Sequence, residues 1–66
     1  MNIKDFTKPE LDYLREQCNF VSVEKELFDL RSQGVPLEEI AEILNMSIDG
    51  VKKVSRRVNK KIIKIL

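Results

Sequence analysis

The fold is decided by the stretch GVPLEEIAEILNMSIDGVKKVSRRV, which runs from Gly34 to Val58. Pro36 can occupy the first position of a helix, because the N–H that proline lacks would have no partner there. The residues that follow place apolar side chains on one helix face and glutamates on the other. The pattern therefore predicts a short acidic helix over residues 36–44. Its apolar positions are Leu37, Ile40, Ala41 and Leu44.

The second half of the stretch predicts a tight turn and a basic helix over residues 47–64. Asn45 tolerates a turn conformation, and the Ser47 hydroxyl can accept a hydrogen bond from a free backbone N–H of the first helical turn. An apolar stripe then contains Val51, Val54, Val58, Ile62 and Ile65. The opposite face contains Asp49, Lys52, Lys53, Arg56 and Lys60, flanked by Arg57 and Lys64. A short helix, a turn and a basic amphipathic helix predict a helix-turn-helix.

The remainder of the chain predicts two further helices. Thr7 and Glu10 have the spacing of a capping box, in which each side chain accepts a hydrogen bond from the other residue's N–H. We expect helices over residues 8–18 and 22–33, the second ended by Gly34 in the left-handed conformation. Since no strand-like alternation occurs, residues 1–66 predict one small all-α domain of four helices. Its expected core contains Leu27, Leu30, Ile40, Ala41, Leu44, Val51, Val54 and Val58.

Charge is separated along the chain, although the net charge is only +1. Residues 1–46 contain five Lys/Arg and ten Asp/Glu, a net of −5. Residues 47–66 contain seven Lys/Arg and one acid, Asp49, a net of +6. Because salt screens each charge beyond about 10 Å, the local stripe decides whether a surface can contact phosphates. The C-terminal third is therefore suited to a polyanion.

Composition disfavours several classes of protein. The sequence has no histidine, no glycine-rich phosphate loop and no metal-binding spacing, so we expect no catalytic residues, cofactor or metal. The single cysteine, Cys18, cannot form an internal disulfide, and we expect it to pack as a small apolar residue in a reducing cytoplasm. No apolar run approaches the roughly 20 residues of a membrane span, and no signal peptide is recognisable. We expect a soluble, cytoplasmic protein without a membrane contact.

Several spaced residues resemble the LuxR-type (GerE) pattern, which reads E-I-A-x-x-L-x-x-S-x-x-T-V-K and continues to an apolar residue and K-L. The matching positions are Glu39, Ile40, Ala41, Leu44, Ser47, Val51, Lys52, Val58, Lys61 and Ile62. The chain is also similar to region four of bacterial sigma factors. The resemblance implies a helix-turn-helix whose last helix reads DNA. Two residues depart from it: Gly50 stands where LuxR-type domains have Thr, and Pro36 replaces the usual Ser or Thr cap.

In a basic helix that enters the major groove by its N-terminal half, the residues make two kinds of contact with DNA. Lys52 and Lys53 are candidate base contacts, because lysine can donate to guanine O6 and N7. Asp49 can accept from a cytosine amine, although an acid that stabilises the helix dipole explains it equally well. The resemblance supports Lys52 and the helix cap by direct match. The candidate phosphate contacts are Ser47, Arg56, Arg57 and Lys60.

Two functions fit this pattern. The first is sequence-specific binding to double-stranded DNA by a small bacterial or phage transcriptional regulator. The alternative is a protein-interaction module of the same fold, such as a sigma mimic or an adaptor that binds RNA polymerase or another regulator. That module would use an acidic surface, whose residues are Glu26, Asp29, Glu38, Glu39 and Glu42.

The end of the last helix is unusually apolar, since it reads Ile62-Ile63-Lys64-Ile65-Leu66. One interpretation is that this turn packs back on the first helix through Ile62, Ile65 and Leu66. The other is a self-association surface centred on Ile63 and Leu66, because exposed apolar patches often mark partners. The second interpretation predicts a homodimer.

Overall fold

The computed structural model describes residues 3–66, apart from the side chain of Lys4. Within this range the chain forms a 3-10 turn at Ile3–Asp5 followed by four α-helices and no strand. The helices are α1 (Lys8–Cys18), α2 (Ser22–Ser32), α3 (Leu37–Ile43) and α4 (Ile48–Ile65). The all-α class and the four helices are as the sequence predicts, and each end lies within one residue of its expected position.

Side-chain caps explain where α1 and α2 begin. The Thr7 hydroxyl accepts from the Glu10 N–H at 3.4 Å, and the Glu10 carboxylate accepts from the Thr7 N–H at 2.8 Å, which completes the predicted capping box. At α2 the cap residue is Val21, whose side chain has no acceptor. Glu24 supplies only the reciprocal half, since its carboxylate accepts from the Val21 N–H at 3.2 Å.

Helices α2 and α3 end in the same way, through a residue in the left-handed conformation. Gly34 has φ +85°, and the next N–H, that of Val35, donates to the Leu30 carbonyl at 3.1 Å. Asn45 has φ +55°, and the Met46 N–H donates to the Ala41 carbonyl at 2.9 Å. These bonds are those of a Schellman motif, which satisfies carbonyls that a helix end leaves free.

A turn of four residues, 44–47, connects α3 to α4. The prediction that Pro36 is the first residue of α3 is wrong by one position. Pro36 is the cap, with an extended ψ of 157°, and Leu37 is the first helical residue. The proline ring fixes φ near −65°, which suits the cap's φ of −71° as well as it suits a helix.

Helix α4 is central to the core, because it packs against α1, α2 and α3. Leu30 and Leu44, which the sequence places in the core, are only half-buried and pack against its edge. Each lies near the C-terminal end of a short helix, where the chain turns away. The other core residues are Ile3, Leu14, Cys18, Phe28 and Ile62, all on faces that the sequence pattern also turns inward. The fully enclosed side chains are Phe28, Leu14, Leu27, Ile40, Ile62, Val51 and Val58.

Arg15 joins α1 to α2 at the surface. Its Nε donates to Asp29 at 2.7 Å, and a second guanidinium nitrogen donates to Asp12 at 2.8 Å. The guanidinium carbon also lies 5.4 Å from the centre of the Phe28 ring, within the range of a cation–π contact. Phe28 in turn packs against Phe20, with ring centres 5.0 Å apart.

Candidate nucleic-acid interface

Helix α4 presents a continuous basic face to solvent. Burial of Val51, Val54, Val58 and Ile62 fixes the rotation of the helix, so the positions opposite this stripe point outward. Six basic side chains on that side are exposed, and none of them forms a salt bridge with any residue of the range 3–66. They are Lys52, Lys53, Arg56, Arg57, Lys60 and Lys64.

The start of α4 is capped by Ser47, as the sequence predicts. The Ser47 hydroxyl accepts from the Gly50 N–H at 3.1 Å, and Asp49 is exposed in the first turn. A side chain at Gly50 would be crowded, because a Cβ there would lie 3.2 Å from the Ser47 hydroxyl oxygen. The helix start thus combines exposed backbone N–H groups, a positive dipole end and the first basic side chains. Such a combination can bind an anion.

All seven predicted contact residues lie on α4 or at its cap, and all are exposed. Lys52 and Lys53 stand in the N-terminal half, next to the capped turn. Arg56 and Lys60 continue the face towards the C-terminus. Arg57 stands at its edge, close enough to α2 for its charge to lower the pKa of Glu24. The seven residues are Ser47, Asp49, Lys52, Lys53, Arg56, Arg57 and Lys60.

Lys61 differs from the other basic residues of α4, because it points towards α2. Its Nζ donates to Glu24 Oε1 at 2.5 Å, and its side chain is about one-third exposed. The count of seven positive charges in the C-terminal third therefore overstates what a ligand can use. The face carries six positive side chains and one carboxylate, Asp49.

Glu24 is the partner that sequence reasoning missed. It is 3 % exposed and is the one buried charged residue in the part of the chain that the structure describes. The hydrogen bond from Lys61 holds the pKa of this carboxyl below its ordinary value, against the opposing effect of burial. A signal existed in the sequence, since Glu24 precedes the core residues Leu27 and Phe28 by one helical turn and so shares their face.

Cys18 is buried close to this ion pair. Burial raises the pKa of its thiol, and the charge of Lys61 only partly offsets that rise. The thiol is therefore protonated at neutral pH and behaves as an apolar core group. This position agrees with the expectation that Cys18 packs as a small apolar residue.

The acidic surface is smaller than the sequence suggests. Glu26, Glu38, Glu39 and Glu42 are exposed, but Asp29 is half-buried and bound to Arg15. Ile43 is 58 % exposed and lies one helical turn after Glu39, at the edge of the α3 acids. The acidic surface available to a partner therefore comprises Glu26 of α2 and the three glutamates of α3, without Asp29.

At the apolar end of α4, some side chains pack on the core and others are exposed, so each interpretation fits part of it. Ile62 is fully buried and Ile65 packs against the core, whereas Ile63 and Leu66 are exposed. Leu66 lines a surface groove of about 290 Å³ between α1 and the end of α4. The other lining residues are Phe6, Pro9, Glu10, Tyr13 and Leu14.

Residues 3–66 contain no group of three or more acidic, cysteine or histidine side chains placed to hold a metal ion. Over the same residues, no helix has both the length and the apolar character needed to cross a membrane. A comparison with protein-family models found no match, and searches of curated proteins and solved structures found none either.

Proposed function

We propose that this chain is a small DNA-binding transcriptional regulator of a bacterium or phage, in which α3, the turn and α4 act as a helix-turn-helix. One observation carries the proposal: six exposed basic side chains share one face of α4 and have no acidic partner within residues 3–66. Positive charges on one face repel one another, and a bound polyanion relieves that repulsion. The face is therefore suited to binding a polyanion. This function would place the protein in the cytoplasm.

The N-terminal half of α4 is the part that would enter the major groove. Lys52 and Lys53 would donate to base edges there, and Asp49 would accept from a cytosine amine. The major groove is about 12 Å wide and admits one α-helix. Helix α3 packs against α4 and is acidic, so α3 would lie outside the groove. Only the C-terminal end of α3 would lie over the DNA backbone.

The remaining residues of the face would fix the position of the helix. Ser47 and the free N–H groups of the first turn would meet one phosphate, as helix starts commonly do. Arg56, Arg57 and Lys60 would meet phosphates further along the strand. Lys61 has no such role, because its ammonium group is bound to Glu24. We assign the protein a binding role and no catalytic one.

A second candidate function rests on the exposed Ile43 among the acids of α3. An exposed apolar side chain beside acidic ones suits a basic protein surface, such as one on RNA polymerase or another regulator. This contact and DNA binding involve different helices. Both can therefore belong to one regulator that bridges DNA and a protein.

Selection of bound duplexes from a random pool tests the primary proposal. We expect enrichment of a short motif, with tighter binding to it than to a scrambled duplex of the same composition. Affinity for both duplexes should fall as salt rises, because each phosphate contact releases counterions. Failure to enrich any motif, together with no salt-dependent binding to duplex DNA, would leave only the protein-interaction function.

A further inference from the structure

The groove between α1 and the end of α4 is lined mostly by apolar side chains. Leu14 is fully buried and Phe6 is half-buried, whereas Tyr13 is 54 % exposed and Leu66 is 74 % exposed. The buried members therefore form the base of the groove, and the exposed ones form its rim. Its volume of about 290 Å³ lies at the small end of the range for ligand pockets. The groove thus has the size for a small organic molecule.

Two aromatic rings and one carboxylate belong to this lining. Phe6 and Tyr13 supply the rings, and Glu10 is the one charged side chain among the six lining residues. Glu10 and Tyr13 are three positions apart on α1, so their side chains are neighbours on that helix. Lys8 and Lys64 lie near lining residues in the sequence, but neither lines the groove. The charge within the lining is therefore negative.

The capping box of α1 holds the Glu10 carboxylate in place. Its Oε1 accepts a hydrogen bond from the Thr7 N–H at 2.8 Å. Within residues 3–66, no hydrogen bond or salt bridge involves the second oxygen, Oε2. One oxygen thus fixes the side chain while the other can accept from a ligand. A side chain that is already fixed loses less conformational freedom when a ligand binds.

We propose that this groove binds a small hydrophobic cation, such as an aromatic or alkyl ammonium ion. The rings of Phe6 and Tyr13 attract the positive charge, as aromatic rings attract ammonium groups within about 6 Å. Glu10 pairs with the same charge at the rim, and the apolar part of the ligand covers Leu14. A neutral ligand gains only the apolar contact, and Glu10 repels an anion. Charge complementarity therefore favours a cation.

This binding does not depend on the proposed DNA-binding function, because none of the seven candidate DNA contacts lines the groove. The ligand contacts both α1 and the end of α4, so it binds the folded chain in preference to the unfolded one. Its binding should therefore raise the unfolding temperature. Because the groove is small and open to water, we expect a Kd of about 0.1–1 mM.

Titration with benzyltrimethylammonium, followed by two-dimensional NMR, tests the site. We expect saturable shifts at Tyr13, Leu14 and Leu66. Benzyl alcohol carries the same ring without the charge and should bind about threefold to tenfold more weakly. Phenylacetate, an anion, should bind more weakly still. Equal affinity for the three probes would overturn the proposal, because the charge of the ligand would then have no effect.

Glu10→Gln isolates the charge of the carboxylate. Glutamine also completes a capping box, so the start of α1 is kept. The variant should bind the cation about twofold to fivefold more weakly and should bind benzyl alcohol as before. Glu16→Gln is the matched control, since Glu16 is exposed on the same helix but does not line the groove. Equal effects of the two variants would overturn the pairing with Glu10.

Tyr13→Leu tests the aromatic ring, because leucine keeps an apolar contact and removes the π face. Cation binding should fall about twofold to fivefold, and benzyl alcohol binding should fall less. Tyr13 is exposed, so circular dichroism should show the variant folded. Two outcomes with the wild type would overturn the site. One is the absence of saturable shifts up to about 20 mM benzyltrimethylammonium, and the other is a set of shifts at the α3 glutamates instead of the groove.

Discussion

Lys61 of α4 and Glu24 of α2 form an ion pair in which the ammonium nitrogen lies 2.5 Å from the carboxylate oxygen. The Glu24 side chain is almost fully enclosed, whereas that of Lys61 is about one-third exposed. The pair joins the start of α2 to the C-terminal half of the helix that carries the basic face. It therefore contributes to the rotation at which α4 presents that face.

Removal of Lys61 should be much more costly than removal of its exposed neighbour. In Lys61→Ala the Glu24 carboxylate stays buried without its partner, and we expect a loss of about 2–4 kcal/mol in the free energy of unfolding. This loss is near the lower end of the range for buried ion pairs, because the Lys61 side chain is partly exposed to water. Lys60→Ala is the control and should change stability by less than about 0.5 kcal/mol. Urea unfolding measures both, and equal values would show that the ion pair contributes nothing.

The same carboxyl predicts how stability depends on pH. The pKa of Glu24 is lower in the folded chain than its ordinary value of 4.5, chiefly because of the hydrogen bond from Lys61. Below pH 4.5 the unfolded chain therefore binds more protons at this site than the folded chain does. The stabilisation is present above pH 4.5 and is lost as pH falls through the folded pKa.

Glu24→Gln removes this titration and is the test of it. The wild type should lose stability faster than the variant as pH falls below 4.5, as measured by urea unfolding at each pH. Glu26→Gln is a suitable control, because Glu26 is exposed on the same helix. Parallel curves for the wild type and Glu24→Gln would contradict the lowered pKa.

The two glycines should respond to alanine with opposite signs. Gly34 has φ +85° and nothing within 4 Å of an added Cβ, so Gly34→Ala incurs only backbone strain, about 1–2 kcal/mol. Gly50 lies inside α4, where alanine improves helix propensity by up to about 1 kcal/mol. That gain requires the Ser47 hydroxyl to move by a few tenths of an ångström from the added Cβ, 3.2 Å away. Thermal unfolding measures both changes, and a destabilised Gly50→Ala would show that the cap cannot adjust.

Local signals in the sequence specify most of this fold because they involve residues that are neighbours along the chain. The capping box of Thr7 and Glu10, the left-handed residues Gly34 and Asn45, and the Ser47 cap each involve groups no more than five positions apart. Helical period likewise identifies the face of α4 that is buried. The start of α3 shifts from Pro36 to Leu37, because proline suits the cap and the first helical position equally.

Contacts between distant residues explain what the sequence did not reveal. Lys61 and Glu24 are 37 positions apart, and on helical period alone Lys61 belongs to the same basic region as Lys60. In the sequence, Asp29 looks like the other surface acids. In the fold, Arg15 of α1 binds it. The groove that Tyr13 and Leu66 line likewise depends on how α1 packs beside α4. Such pairings require the tertiary arrangement, which the spacing of residues in a single helix does not define.

The basic face of α4 should contain two groups of residues that differ in how their loss affects DNA binding. Arg57→Ala and Lys60→Ala should weaken binding to preferred and scrambled duplexes alike, and each should make the slope of log K against log salt about one unit shallower. Lys52→Ala and Lys53→Ala should cost about 1–3 kcal/mol mainly on the preferred duplex, because a base contact is lost. Glu38→Ala, on the helix outside the groove, should not change the choice of sequence.

Binding isotherms on both duplexes at two salt concentrations separate these outcomes. The Lys61→Ala variant provides a further test. Because Lys61 is bound to Glu24, its removal should leave the salt slope unchanged once the protein is kept folded at low temperature. A shallower slope would mean that Lys61 leaves Glu24 to contact a phosphate. If the Lys52 and Lys53 variants lose the same affinity on both duplexes, α4 contacts phosphates and does not read bases. If none of the exposed basic variants alters binding, the face does not contact DNA, and the acidic surface of α3 becomes the functional one.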